Sequence, residues 1–330
     1  MDIEVPIIDA HAHMAADSPA AQALLSQLGV RVLNISLGLD TRGEWRARSD
    51  FGAHAFQALA RANPRNFAWC TSFDLPSGAD VHYAERVISE LERDFASGAV
   101  ACKVWKNIGM EVRDRSGGFL LVDHPLLTPV FAHLERRGCP VIMHVGEPKA
   151  CWEPLDQESP HFAYYSEHPE WHMFGKPEVP SWSELLDARD RVLARHPQMR
   201  VVGAHLGSIE HDVVELARRL ARFPNFAVDT GGRLLDLALQ DPARVRALFE
   251  QYPTRILFGS DICLPRAVSE MPSDEADRSL TEIAGVYQRE LAFYCSTERV
   301  HIGERDFAGL GLSSILQHRL LHDNARACFG

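Results

Sequence analysis

A closed (β/α)8 TIM barrel is the fold class this sequence predicts, and three features predict it. Short apolar runs alternate along the chain with stretches whose apolar residues recur at three- and four-residue spacing, the periods of strand and amphipathic helix. Eight such runs occur, which suits a closed parallel barrel better than an open sheet. Several of the runs end in a side chain able to bind a metal, and in a parallel barrel the carboxyl edge of the strands is where active sites are built.

The first strand is expected over Val5–His11, and its end carries His11-Ala12-His13. Residues two apart on an extended chain face the same way, so both imidazoles project toward one point. Further strands are expected over Arg31–Leu37, Phe67–Asp74, Ala99–Trp105, Pro140–His144, Arg200–His205, Phe226–Asp229 and Arg255–Ser260. The fourth carries Lys103, the fifth and sixth end in His144 and His205, and Asp261 follows the eighth. Strand parity puts Lys103 and Trp105 on one side and Lys106 on the other. Helices are expected over Ala20–Leu28, Ala53–Ala62, Ala84–Phe95, Leu126–Arg137, Ser183–Arg195, Ile209–Arg222 and Pro242–Gln251. Helix breakers close several of them: Asn63-Pro64, Gly98, Gly138, His196-Pro197, Phe223-Pro224 and Tyr252-Pro253.

Two connections exceed an ordinary barrel loop: 147–180 after the fifth strand, and from Ile262 to about Glu282 after the eighth. The first holds Trp152, His161, Phe162, Tyr164, Tyr165, His168, Trp171, His172 and Phe174, too aromatic for a disordered segment. It is expected to fold over the barrel mouth as a lid. Packing against the outer helices or a second subunit is the competing expectation, and a homodimer is compatible with both.

Composition narrows the class. The 330 residues, 46% hydrophobic and 24% charged, read as one soluble barrel domain over 1–330. A formal charge of −11 with no basic stripe argues against nucleic acid as a partner. Seven cysteines without a Cys-x-x-Cys pair read as reduced thiols. The opening Met1-Asp2-Ile3-Glu4 leads into the first strand with no basic or long apolar segment, so a cytoplasmic protein without membrane partners is expected.

His11-x-His13, Lys103, His144, His205 and Asp261, in that order, resemble the ligand series of the amidohydrolase superfamily. The closing Leu321-His322-Asp323-Asn324-Ala325-Arg326-Ala327-Cys328-Phe329-Gly330 resembles the C-terminal helix of its amidohydrolase-2 branch. That branch includes aminocarboxymuconate-semialdehyde decarboxylase, resorcylate-type decarboxylases and lactone hydrolases. The resemblance implies a divalent ion, with zinc expected, held by His11, His13, His144 and Asp261. It implies catalytic roles for Asp261 as proton acceptor and for His205 in proton transfer. Neutral imidazoles with a carboxylate suit zinc, which lowers the pKa of a bound water toward about 7. In two-metal members a fourth-strand lysine is carbamylated and bridges the ions. The expectation here is one ion and a cationic Lys103 facing a carboxylate or an anionic substrate; a carbamylated Lys103 would imply two.

For the substrate, arginines and tryptophans near the carboxyl edge are the candidates: Arg233 above all, with Arg42, Arg46, Arg48 and Arg266, and Trp105, Trp152 and Trp171 beside Trp45. The function expected is hydrolysis of a small lactone, amide or ester that carries a carboxylate. The same ligands support a metal-dependent, non-oxidative decarboxylation of an aromatic or unsaturated acid. A non-catalytic metal-binding barrel would need a closed site, which two long loops beside the mouth argue against.

Overall fold

The structure is a computed structural model that describes residues 5–39, 45–46, 53–76, 81–264 and 268–330. Its centre is one parallel sheet. The strands are β1 (Ile7–Met14), β2 (Val30–Ile35), β3 (Phe67–Ser72), β4 (Ala99–Val104), β5 (Val141–Met143), β6 (Val201–Gly203), β7 (Phe226–Asp229), β8 (Ile256–Leu257) and β9 (Ile262–Leu264). They lie in the order β8-β7-β6-β5-β4-β3-β2-β1-β9, so from β1 to β8 each strand sits beside its neighbour in sequence. β8 pairs with β7, while β9 pairs with β1 through Ala12 and Ile262. Between them the Ala10 N–H donates to Phe258 O at 2.8 Å and the Asp261 N–H to His11 O at 2.7 Å. The run from Ile256 to Leu264 therefore borders β7 at its start and β1 at its end, as the last strand of a TIM barrel does.

The barrel interior is narrow and apolar. Ala10, Leu33, Ile35, Cys70, Ala101, Ile142, Val202 and Leu257 form one buried cluster, plugged from below by Ala325. Helices α1 (Pro19–Gln27), α2 (Ala53–Ala62), α3 (Tyr83–Ala96), α4 (Thr128–Arg137), α5 (Trp182–Arg195), α6 (Val213–Arg222) and α7 (Pro242–Gln251) alternate with the strands. Their inner faces join the outward strand residues in the larger apolar shell, for example Val87, Leu91, Val130, Leu134, Leu216 and Leu220. The closing segment reads as 314–318, a π turn over 319–323 and a last helix over Asn324–Phe329. It seals the amino end: Asn324 Nδ2 donates to Ile256 O at 2.7 Å, and Phe258 N–H to Leu320 O at 3.0 Å.

Three boundaries differ from the sequence expectation. β1 runs on to Met14, because a register shift between Asp9 and Ala12 lets the strand continue past its bulge. β6 stops at Gly203, two residues before His205, where the backbone turns left-handed. The connection after β8 is long, but a 23-residue helix α8, Ser273–Cys295, occupies it from its middle onward. Its first turns, Ser273-Asp274-Glu275-Ala276-Asp277-Arg278, are polar, and apolar periodicity begins only at Leu280 and Ile283. No helix among the described residues is long and apolar enough to cross a membrane.

Asn34 pins the top of β1. Its buried amide accepts the Met14 N–H and donates to the Met14 carbonyl, both at 2.8 Å. Replacing it with alanine strands a buried donor and a buried acceptor, at about 1–3 kcal/mol for each group. Asn34→Ala should therefore lower the urea midpoint by an amount equivalent to about 2–4 kcal/mol, with an unchanged denaturant slope. A midpoint equal to that of the wild type would show that the clamp is not structural.

Candidate active site

The bulge in β1 aims the site. Ile8 and Ala10 face the barrel interior, while Ala12 and Met14 pack into the outer shell. The inward side therefore passes from the even positions to His11 and His13 at the shift between Asp9 and Ala12, the use bulges find beside active sites. Close backbone approach is needed behind His11. A Cβ on Gly259 would stand 2.9 Å from His11 Cβ, and one on Gly231 3.3 Å from its ring.

The imidazoles of His11, His13 and His205 are each oriented by a hydrogen bond at Nδ1. His13 Nδ1 donates to Leu37 O at 2.9 Å and His205 Nδ1 to Gly231 O at 2.7 Å. A carbonyl only accepts, so in these two rings the proton is on Nδ1 and the lone pair on Nε2. His11 Nδ1 meets Asp229 Oδ2 at 2.9 Å, and this carboxylate selects the same tautomer. Asp229 is itself fixed, because its Oδ1 accepts the His205 and Gly231 backbone N–H groups, both at 3.0 Å. Against the effect of burial, the contact with His11, and His205 and Lys103 nearby, hold the Asp229 pKa down at about 2.

Asp261 Oδ1 lies 3.6 Å from His11 Nε2 and 3.5 Å from His13 Nε2. Two donors at zinc-ligand distance from one tetrahedral ion stand about 3.3–3.4 Å apart. The three side chains thus already have the spacing of a metal site, and the donor set suits a divalent ion. His144 stands next to them. Its ring is 4.4 Å from that of His205, and its Nε2 is buried with no partner, an orphaned donor atom of the kind a metal satisfies. Burial pushes the pKa of His144, His205 and His11 down, so the rings are in the neutral form that binds metal. Asp261 goes the other way: His205, His13 and His11 hold it well below the usual carboxylate range in spite of burial.

His205 and Asp261 share an unusual backbone. Their φ angles are 56° and 62°, in the left-handed region that non-glycine residues seldom enter. Such strain persists only where surrounding contacts enforce it, and it concentrates at functional sites.

Lys103 projects from β4 into the same space, with Nζ 3.3 Å from His11 Nε2. It makes no ion pair among the described residues, and burial lowers its pKa while Asp229 and Asp261 act to raise it. Lys106 does not turn away as strand parity requires. β4 ends at Val104, so parity no longer governs residue 106, and its buried ammonium faces the cavity in an ion pair with Glu147.

A cavity of about 270 Å³ opens from this cluster, lined by Leu37, Trp105, Lys106, Glu147, Pro148 and Arg233 and roofed by His161, Tyr164 and Tyr165. The segment 147–180 is therefore a lid. It is carried by a turn over Lys149–Trp152 and a short helix over Phe162–Glu167. Lys106 anchors it, with Nζ 4.0 Å from the centre of the Trp171 ring, and Tyr165 Oη donates to Glu147 at 3.3 Å. Trp105 lines the cavity, and Trp171 stands behind Lys106. Trp152 is not brought to the cavity: it packs toward Gly146 and donates to Pro180 O at 3.0 Å. Arg42, Arg48 and Arg266 lie outside the described residues, as do the side chains of Trp45 and Arg46. Sequence reasoning did not single out Asp229 or Glu147; it turned Lys106 away from the site and named Tyr165 only among the lid aromatics. Asp229 carried the same signal as His144, a polar side chain closing an apolar run.

Because Asp229 orients His11, Asp229→Asn should weaken metal affinity by about 10–100-fold, the usual effect of losing such a partner. Competition of the loaded protein against a chromogenic chelator measures it. An unchanged affinity would show that Asp229 serves the fold and not the ligand.

The family model described as "Amidohydrolase", that of the amidohydrolase-2 family, matches residues 8–330. No curated protein matches the chain by sequence. Among solved structures, 2,6-dihydroxybenzoate decarboxylase from Rhizobium is similar, with 16% identity, 98% of each chain covered and a TM-score of 0.55. 5-Carboxyvanillate decarboxylase from Sphingomonas paucimobilis is 15% identical, with 99% of each chain covered and a TM-score of 0.51. An amidohydrolase from Burkholderia multivorans is 16% identical, with 98% of each chain covered and a TM-score of 0.52. At this identity the likenesses speak for the barrel fold, and the family match over nearly the whole chain speaks for descent: this protein belongs to the amidohydrolase-2 family of the amidohydrolase superfamily.

Proposed function

We propose that the protein is a metal-dependent hydrolase that acts on a small carboxylated lactone, amide or ester within its one barrel domain. One observation carries the reading: the placement of the Asp261 carboxylate between two partners. Its Oδ1 faces His11 and His13, and its Oδ2 lies 3.9 Å from His205 Nδ1. His11, His13 and Asp261 would hold one zinc ion, with the orphaned His144 as fourth ligand. A divalent ion held there supplies Lewis acidity toward water and toward a substrate oxygen.

The chain's own groups do the rest. Asp261, ionised in its cluster, accepts a proton from the attacking water. Asp261 then hands that proton to the leaving group, while the free Nε2 lone pair of neutral His205 accepts a hydrogen bond from the water, orients it and assists the proton transfer. Lys103, Lys106 and Arg233 line the cavity and suit a substrate carboxylate, while Trp105 and Tyr164 offer flat faces to a ring. The lid keeps bulk water away, which strengthens these charges.

A second reading, non-oxidative decarboxylation of an aromatic or unsaturated acid, is favoured by the three cations in one cavity and by Lys103, a buried amine that can protonate a carbanion. It is also the activity in the names of two structural neighbours.

The metal-loaded protein should turn over a member of a panel of lactones, amides, esters and carboxylated aromatics in ¹⁸O-labelled water. Label in the product without carbon dioxide release is the expected result; carbon dioxide release without label overturns hydrolysis in favour of decarboxylation. With the substrate in hand, His205→Asn should retain the ion by metal analysis and lose about 100-fold or more in turnover. Full turnover in that variant would remove His205 from the proton path.

A further inference from the structure

A second cluster of donor atoms lies at the rim, where the lid meets the loops after β6 and β7. His161 comes from the lid, Glu210 from the loop before α6, and Asp236 from the short helix Leu234–Ala238. One donor atom from each lies within 4.8 Å of the others, and His161 Nε2 stands 2.9 Å from Asp236 Oδ1. No residue is shared with the His11, His13 and Asp261 group.

Glu210 is the telling member. It is 1% exposed, and its Oε1 accepts the Lys149 N–H at 3.1 Å and faces His211 Nδ1 at 3.4 Å. Its Oε2 is buried and has no hydrogen-bond partner. A buried carboxylate oxygen left bare is costly, and a carboxylate that carries one, grouped with a histidine and a second carboxylate, is what a cation satisfies.

The nearest cation does not fill this role. Arg233 is acted on by four carboxylates, Asp236, Glu210, Asp261 and Glu147, and its Nη1 is bonded to Gly232 O at 2.7 Å. Its Nε is also without a partner, so the guanidinium does not complete the Glu210 carboxylate. One arginine among four carboxylates leaves the rim negative, and Lys106 is engaged with Glu147.

We propose that His161, Glu210 and Asp236 form a second divalent-cation site, which ties the lid to the barrel rim. One imidazole and two carboxylates suit zinc or manganese better than magnesium, which prefers oxygen alone. Two ligands of one tetrahedral zinc stand about 3.3–3.4 Å apart, so the outermost pair, within 4.8 Å, closes by up to about 1.5 Å when the ion binds. Water completes the coordination, as the cavity reaches His161.

The test is zinc stoichiometry. Chelator-stripped wild-type protein is equilibrated with excess zinc alone, passed through a desalting column and analysed for metal. Two ions per chain are expected. The His11→Ala, His13→Ala variant should keep one, and the Glu210→Gln, Asp236→Asn variant should keep one. His161→Gln, a change confined to the lid, should also lose the second ion and guards against a rim variant that misfolds. One ion per chain in the wild type overturns the proposal. So does a second ion that survives in both the rim and the lid variants, because it would then sit beside Lys103 and His144.

Discussion

A buried carboxylate with no cation beside it among the described residues ties the two ends of the sheet order together. Asp9 is fully buried, and it accepts the N–H of His11 at 3.0 Å and of Ser260 at 3.1 Å, with the hydroxyls of Ser260 and Tyr287 on its other oxygen. Burial lifts its pKa to about 6 in spite of these four donors. The arrangement joins three elements that contribute nothing to one another by sequence proximity: β1 just before its bulge, the β8–β9 link, and α8. Asp9 grips His11 at its own N–H and Asp261 through the residue before it, Ser260. The spacing between these two side chains is thus set from behind, by a group that does not line the cavity.

The charges within the cavity follow from the same dryness. Neutral imidazoles are stable there because desolvation disfavours their protonated form. Lysines in such a place are held only by opposing carboxylates, and the two differ in how far they have them. Lys106 has Glu147 directly against it and is held in the charged form, its pKa raised. Lys103 feels Asp229 and Asp261 only at a distance, and its pKa is lowered. Two lysines three residues apart therefore differ, Lys106 as a fixed positive charge set against the lid and Lys103 as the less firmly charged of the two.

Much of this was legible in the chain. The eight apolar runs were enough to place His11, His13, Lys103, His144, His205 and Asp261 around one end of a barrel, because strand ends in a parallel barrel converge whatever their distance in sequence. The lid was legible from its aromatic content. Lys106 was not, since parity holds only while the strand continues, and where β4 stops is decided by its neighbours. The helix α8 was hidden by a polar start that faces solvent. Asp9 looked like one more residue of a strand. Its role comes from Ser260 and Tyr287, which are brought to it from about 250 and 280 residues away, and no local pattern reports a contact of that range.

The backbone at His205 and Asp261 sets the limit of what pattern alone can give. Both residues were placed on regular strand ends, and both leave the strand with positive φ. A left-handed non-glycine residue costs about 1–3 kcal/mol, so local propensity argues against it. The conformation is enforced from outside. His205 is held by the Asp229 carboxylate at its N–H and by Gly231 O at its ring, and Asp261 by its N–H bond to His11 O. The consequence is geometric. A residue in the left-handed region leaves the strand and turns its side chain across the barrel mouth, where Asp261 meets histidines of β1 on one oxygen and His205 on the other. A straight strand end would point each group along its own strand. The strain is thus how two parts of the wall, with β7 between them, present their side chains to the same point.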